Sequence, residues 1–299
     1  LFFMIEDPDG HKVEFSAEKK TAKIKIEQAQ SGEPFSFPLE VKFVFEKGEK
    51  THTFKVAGKE NAFQVPIERE VEWFSVDPEF KVLKTVAIKA PKEMLVKQLQ
   101  EGHTVIERVE AVRALKEHSA DAVVDALQKA VMNDRFWGVA AEAAKTLGAI
   151  RTDSAYEALK KCVRVRHPKA RRQVMKAIGE FKKEETVGLL KPYLHEESYF
   201  VESEVATAIG RTKSKEAIPV LKRAAATASF QNIVAQGAIA GLKEFPDDKD
   251  VAGFLVEKSR YGNHHRVREA ATFALGKFVD NHAVVDQLRS LLTDKWFRV

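Results

Sequence analysis

Six apolar anchors, Leu115, Leu147, Ile178, Ile209, Leu242 and Leu275, recur at steps of 32, 31, 31, 33 and 33 residues. The residue four places before each is small or branched and apolar: Ala111, Ala143, Val174, Val205, Ala238 and Ala271. A period of this size, carrying two helical patterns, marks a solenoid, in which each repeat buries its apolar face only against its neighbours. Such architectures present surfaces and seldom do chemistry. The period therefore predicts a binding or scaffolding protein. A Gly follows the anchor in four of the six repeats (Gly148, Gly179, Gly210 and Gly276), and this predicts a left-handed helix cap at each.

Helix pairs are expected at 104–117 with 119–132, 134–148 with 153–164, and 168–180 with 184–195. Three more follow at 199–210 with 214–227, 230–243 with 248–260, and 264–277 with 281–293. Residues 91–299 are thus read as a helical repeat domain of about six pairs and a truncated seventh. Asp294-Lys295-Trp296-Phe297-Arg298-Val299 copies Asp134-Arg135-Phe136-Trp137-Gly138-Val139, the opening of a repeat, so the chain reads as a fragment of something longer.

Residues 1–90 alternate instead with period two: Lys23-Ile24-Lys25-Ile26-Glu27, Val41-Lys42-Phe43-Val44-Phe45, 51–56, 63–67, 71–76 and 82–86. Short alternating runs between Gly, Pro, Lys and Glu predict a small antiparallel β-sandwich of about seven strands, with a hairpin at Glu46-Lys47-Gly48-Glu49-Lys50. The fold class expected is multidomain β plus α: a β-sandwich followed by an α/α superhelical solenoid.

Neither a membrane span of about 20 apolar residues nor a signal peptide is visible, and no membrane partner is expected. The single cysteine, Cys162, rules out an internal disulfide and a thiolate zinc site, and is expected to be a small buried hydrophobe. A reducing, cytoplasmic setting is the expectation. Phosphate-loop, dinucleotide, nucleophile-elbow and H-E-x-x-H motifs are all missing, and acid pairs such as Asp247-Asp248 sit at helix starts where they offset the macrodipole. No catalytic, cofactor-binding or metal-binding residue is assigned. His264 and His265 are expected to point in different directions.

Charge is unevenly shared. Residues 1–91 hold 14 Lys and Arg against 16 Asp and Glu, and the remainder 35 against 28. The densest basic stretch contributes Arg164, Arg166, Lys169, Arg171 and Arg172, and Arg266 and Arg268 stand in similar places near the end. These seven form the candidate interaction patch. A nucleic-acid groove is one reading. It is disfavoured, because interleaved aromatics for base stacking are not seen and acids are frequent. A patch contacting an acidic partner, or a solvated ridge, is preferred.

The segment Arg266-Val267-Arg268-Glu269-Ala270-Ala271-Thr272-Phe273-Ala274-Leu275-Gly276 resembles the HEAT-like repeats of bilin-lyase-type proteins. His195-Glu196 is similar to one of the iron-ligand pairs of the HEAT-repeat deoxyhypusine hydroxylases, but a single pair cannot fill a di-metal site. In the β region, Gly10-His11 with Val13-Glu14-Phe15-Ser16 resembles the strand that opens the sandwich of aminopeptidase-N-like zinc peptidases, Lys12 standing where Pro is usual. Ile24-Lys25-Ile26-Glu27-Gln28-Ala29-Gln30, Glu33-Pro34-Phe35-Ser36-Phe37-Pro38-Leu39 and Val76-Asp77-Pro78-Glu79-Phe80-Lys81-Val82-Leu83 resemble later segments in the same order. That resemblance implies the non-catalytic C-terminal region of a metallopeptidase, bracing an upstream catalytic domain and restricting peptide access to it. It implies zinc only in that upstream domain and no cofactor in this chain. Peptide substrates or a protein partner would lie on the concave helical face. The alternatives are a HEAT-repeat adaptor for protein partners and, less favoured, a nucleic-acid-binding solenoid.

Overall fold

The computed structural model describes residues 2–5, 21–28, 32–67, 69–82, 85–88 and 90–296. The segment Gly10–Ser16, with its Lys12, and the residues Phe297, Arg298 and Val299 lie outside them. The chain divides into two compact units, Leu1–Ala158 and Leu159–Val299. The change from strand to helix falls inside the first.

In the first unit, β3 (Phe37–Phe45) is flanked by β4 (Glu49–Val56) and β6 (Val71–Val76), both antiparallel to it. Leu39, Val41 and Phe43 alternate inward, as a period of two requires when one face is buried. The β3–β4 turn closes through Phe45 N–H to Gly48 O at 3.0 Å, with Gly48 at φ 88°, a conformation glycine adopts at no steric cost. A second sheet pairs β2 (Thr21–Glu27) with β5 (Glu60–Pro66), antiparallel. The third pair differs from expectation: β1 (Phe2–Ile5) and β7 (Thr85–Ile88) run parallel. Parallel neighbours need a long connection, and here the other five strands supply it.

Two buried polar side chains pin the turns of this region. The Gln28 amide donates to Phe35 O at 2.8 Å and Gly58 O at 3.0 Å, and accepts from Phe35 N–H at 3.0 Å. Asp77 accepts from the backbone N–H of Lys81 at 2.8 Å and of Val82 at 2.9 Å. Both stand in the segments that resemble the peptidase sandwich, so at least part of that pattern encodes turn geometry.

The sheet is joined to α1 (Lys92–Glu101) and α2 (Val105–Ala114) by a buried polar cluster. Thr104 and Glu107 form a reciprocal capping box at the start of α2. The other carboxylate oxygen of Glu107 meets the Lys42 ammonium at 2.5 Å, with the Glu107 side chain wholly buried. Lys42 also lies 5.1 Å from the centroid of the Trp73 ring, whose N–H donates to Glu101 at 3.3 Å. A charge pair at this depth is tolerated only because each partner is met on several sides. The remaining helices of this stretch are α3 (Asp121–Asn133), α4 (Trp137–Ile150) and α5 (Asp153–Lys161).

The second unit holds α6 (Pro168–Gly179), α7 (Thr186–Leu190), α8 (Tyr199–Arg211) and α9 (Ala217–Ala224). After these come α10 (Ile233–Leu242), α11 (Lys249–Ser259), α12 (His265–Leu275) and α13 (His282–Leu291). Helix α7 gives way to a 3-10 turn at Lys191–His195, where Pro192 removes a backbone donor. Helices α6, α8, α10 and α12 pack side by side in one layer, and α7, α9, α11 and α13 cover its back. Every anchor of the repeat is fully buried.

The glycines after the anchors are not left-handed caps. Gly148, Gly179 and Gly210 lie within helices, and Gly276 has φ −58°. Three repeats instead take the left-handed conformation four places past their anchors, at Arg151, Lys182 and Lys213, with φ 57°, 55° and 56°. Two of the glycines are small for a packing reason. A Cβ on Gly210 would come within 2.3 Å of Gly241 Cα, and one on Gly179 within 2.8 Å of Ala208 Cβ.

Candidate functional site

The structure divides the seven candidate cations into two kinds. Arg164 and Arg166 are exposed in the turn before α6, and Lys169 and Arg172 are exposed on that helix. Lys176, which the sequence reading passed over, extends the same face, since positions 169, 172 and 176 follow the i, i+3, i+7 rule. The Arg172 guanidinium sits 5.6 Å from the centroid of exposed Phe200 and 3.8 Å from Glu204. Glu180, the residue that follows α6, accepts from Arg211 at 2.9 Å. Arg266 is exposed at the start of α12. Helices α8 and α10 intervene, so three interhelical steps of about 8–10 Å separate it from the first group. One continuous patch is not formed.

Arg171 and Arg268 face inward and act as clamps. Arg171 pairs with Glu196 at 2.8 Å and donates to Val165 O at 3.0 Å. Arg268 pairs with Asp294 in a buried contact and lies 5.1 Å from the centroid of the Tyr261 ring. Arg108 does the same in the first unit, donating to both oxygens of Asp134 at 2.8 and 3.1 Å and to Gly102 O at 3.0 Å. All three arginines stand seven places before an anchor, and each acid lies 25 or 26 residues further on. Where the arginine position is Ala140, Glu202 or Ala235, no acid occupies the corresponding place. This pairing within the chain was available in the sequence. Grouping cations by proximity along the chain hid it.

The other titratable groups carry structure. Burial pushes the Cys162 thiol up to about 11, so it is not a nucleophile at neutral pH. Burial raises the Glu202 carboxyl, opposed by His195 and by a backbone hydrogen bond from Glu196. Glu196 is held by Arg171. His264 and His265 do not diverge. Their rings stack with centroids 4.2 Å apart, and His265 packs on Trp296 at the same distance. No group of three metal-ligating side chains occurs among the described residues, and none of the described helices is long and apolar enough to cross a membrane. What remains is a basic face on α6 edged by an exposed aromatic, able to attract an acidic surface.

A solved structure of Legionella pneumophila aminopeptidase A in complex with aspartic acid is similar over 98% of this chain, with TM-score 0.57 and 12% identity. The chain spans 42% of that protein's length. Human deoxyhypusine hydroxylase in complex with glycerol (69% of this chain, 91% of that one, 14% identity) has TM-score 0.39. A phycocyanin lyase complex from Nostoc sp. (68% of this chain, 95% of that one, 17% identity) has TM-score 0.44. Curated protein sequences yield no match. The family model for HEAT repeats matches residues 93–173 and 166–243, together half of the chain. With its fully buried anchors and paired helices, the chain belongs to the HEAT-repeat family.

Proposed function

We propose that this HEAT-repeat scaffold is the non-catalytic C-terminal region of an aminopeptidase-N-like metallopeptidase, bracing the catalytic domain and restricting the peptides that reach it. The observation that carries the reading is joint: a β region followed by helix pairs is similar in fold, over 98% of this chain, to part of an aminopeptidase. The segments around Gln28 and Asp77 that resemble the peptidase sandwich are also those whose polar side chains fix its turns. In this account the exposed cations of α6 meet an acidic face of the catalytic domain.

The test uses the parent polypeptide beside the isolated chain. Replacing Arg164, Arg166, Lys169 and Arg172 by Glu in the parent should lower its melting temperature and widen the range of peptide lengths it cleaves. The same replacement in the isolated chain, where Arg172 loses Glu204 and the Phe200 ring, should lower its melting temperature by clearly less than in the parent. Equal effects in both, or an unchanged parent, contradict the bracing role.

A second reading, an adaptor for protein partners, is favoured by exposed Phe200, Phe230 and Phe273 in the second unit. It predicts a protein that co-purifies stoichiometrically with the isolated chain and is lost when Phe200 and Phe273 become Ser.

A further inference from the structure

The first unit contains a cavity of about 210 Å³ at the β3–β4 hairpin end, remote in sequence from the basic helix. Its floor is apolar: Phe43, Val65 and Ile67 are buried, and Phe45 and Pro66 complete the lining. Its mouth is basic, with Lys47, Lys50 and Arg69 among the lining residues. The Arg69 guanidinium donates to Lys47 O at 3.1 Å, which ties the hairpin turn to the segment after β5. No carboxylate pairs with any of these three cations among the described residues. Among the described residues the one acid in the lining is Glu49, which lies 3.4 Å from the Lys42 ammonium, so its charge is partly answered from behind the sheet.

His52 forms part of the wall, its ring 6.0 Å from that of Phe43 and 6.2 Å from that of Phe54. Burial and the nearby Lys50 lower its pKa, so the imidazole is neutral at pH 7 and offers one N–H donor beside the apolar floor. The other charged residues that line the cavity are Lys47, Glu49 and Arg69. An apolar slot with a few convergent polar groups is the usual form of a small-ligand site. The volume suits one medium-sized side chain or short acyl chain, and the cations suit one anionic head.

We propose that this cavity binds an apolar group carrying a carboxylate, seated on Phe43, Val65 and Ile67, with its anionic head held by Lys47, Lys50 and Arg69. The site belongs to the β region alone and does not depend on the peptidase reading. The same chemistry is presented by a free aliphatic carboxylic acid and by the last residue of a peptide.

The experiment follows the methyl signals of Val65 and Ile67 in the full chain, labelled at Ile and Val, by NMR at pH 7. Titration is made with 4-methylpentanoate, with N-acetyl-leucine, and with N-acetyl-leucinamide as the uncharged control. Saturable shifts of these methyls with either acid are expected, and an affinity at least tenfold weaker for the amide. Stronger binding of N-acetyl-leucine would identify a peptide terminus as the source, and stronger binding of 4-methylpentanoate a free acid. The Lys47→Glu and Lys50→Glu variants change exposed side chains and should keep the methyl spectrum of the folded chain while weakening the acids at least tenfold. Equal affinity for acid and amide, unshifted methyls with all three probes, or unchanged affinity in both charge variants would overturn the proposal.

Discussion

Gln28 shows how much a single polar residue can hold. Its amide satisfies both backbone groups of Phe35 and reaches Gly58 as well. Gln28→Leu keeps the size and removes these bonds, and because Phe35 is exposed water can replace part of them, so the change should destabilise the chain by roughly 1–3 kcal/mol. A shift in urea midpoint at constant slope would measure this. The clamps make a sharper contrast. Arg108→Gln leaves buried Asp134 without its cation and should cost about 3–5 kcal/mol. Arg166→Gln, in an exposed turn, should stay within about 0.5 kcal/mol of the parent. Reactivity gives a third check: with its thiol at about 11 and buried, Cys162 should resist iodoacetamide at pH 8 until urea unfolds the chain. Rapid labelling of the native protein would contradict its burial.

At the scale of elements, the repeat was legible because a fully buried anchor must recur wherever one helix layer stacks on the next. Helix positions followed within a few residues, since apolar spacing reports which face is covered. The glycines were misread. A Gly near a helix end serves either a left-handed backbone or a close approach, and one sequence does not say which. Identical repeat positions now predict opposite outcomes. Gly210→Ala drives a methyl into the Gly241 backbone and should cost at least about 2 kcal/mol. Gly276 has helical φ, with only Phe273 O within reach at 3.3 Å, so Gly276→Ala should be neutral or stabilising by up to about 1 kcal/mol. Thermal unfolding of the two variants side by side decides it. The parallel pairing of β1 with β7 was equally illegible, because alternation fixes which face a residue takes but not the direction of its neighbour.

At the scale of the whole molecule, the rhythm of the sequence changes near residue 90, yet the first compact unit runs to Ala158. The reason is the cluster of Lys42, Trp73, Glu101 and Glu107, whose members come from strands and helices together. Cutting after residue 90 would strand the buried Lys42 ammonium beside Trp73. Residues 1–158 should therefore unfold in a single cooperative transition, and residues 1–90 should show none. The seven-cation patch was the least legible feature. Charge counted along the chain cannot tell a solvent-facing arginine from one turned into a clamp. Whether this scaffold is the rear part of a zinc peptidase, as proposed, is decided by reading the parent gene upstream of the codon for Leu1. An open frame encoding H-E-x-x-H and a downstream Glu ligand is expected there. A start codon close to Leu1 with no such motif would contradict it.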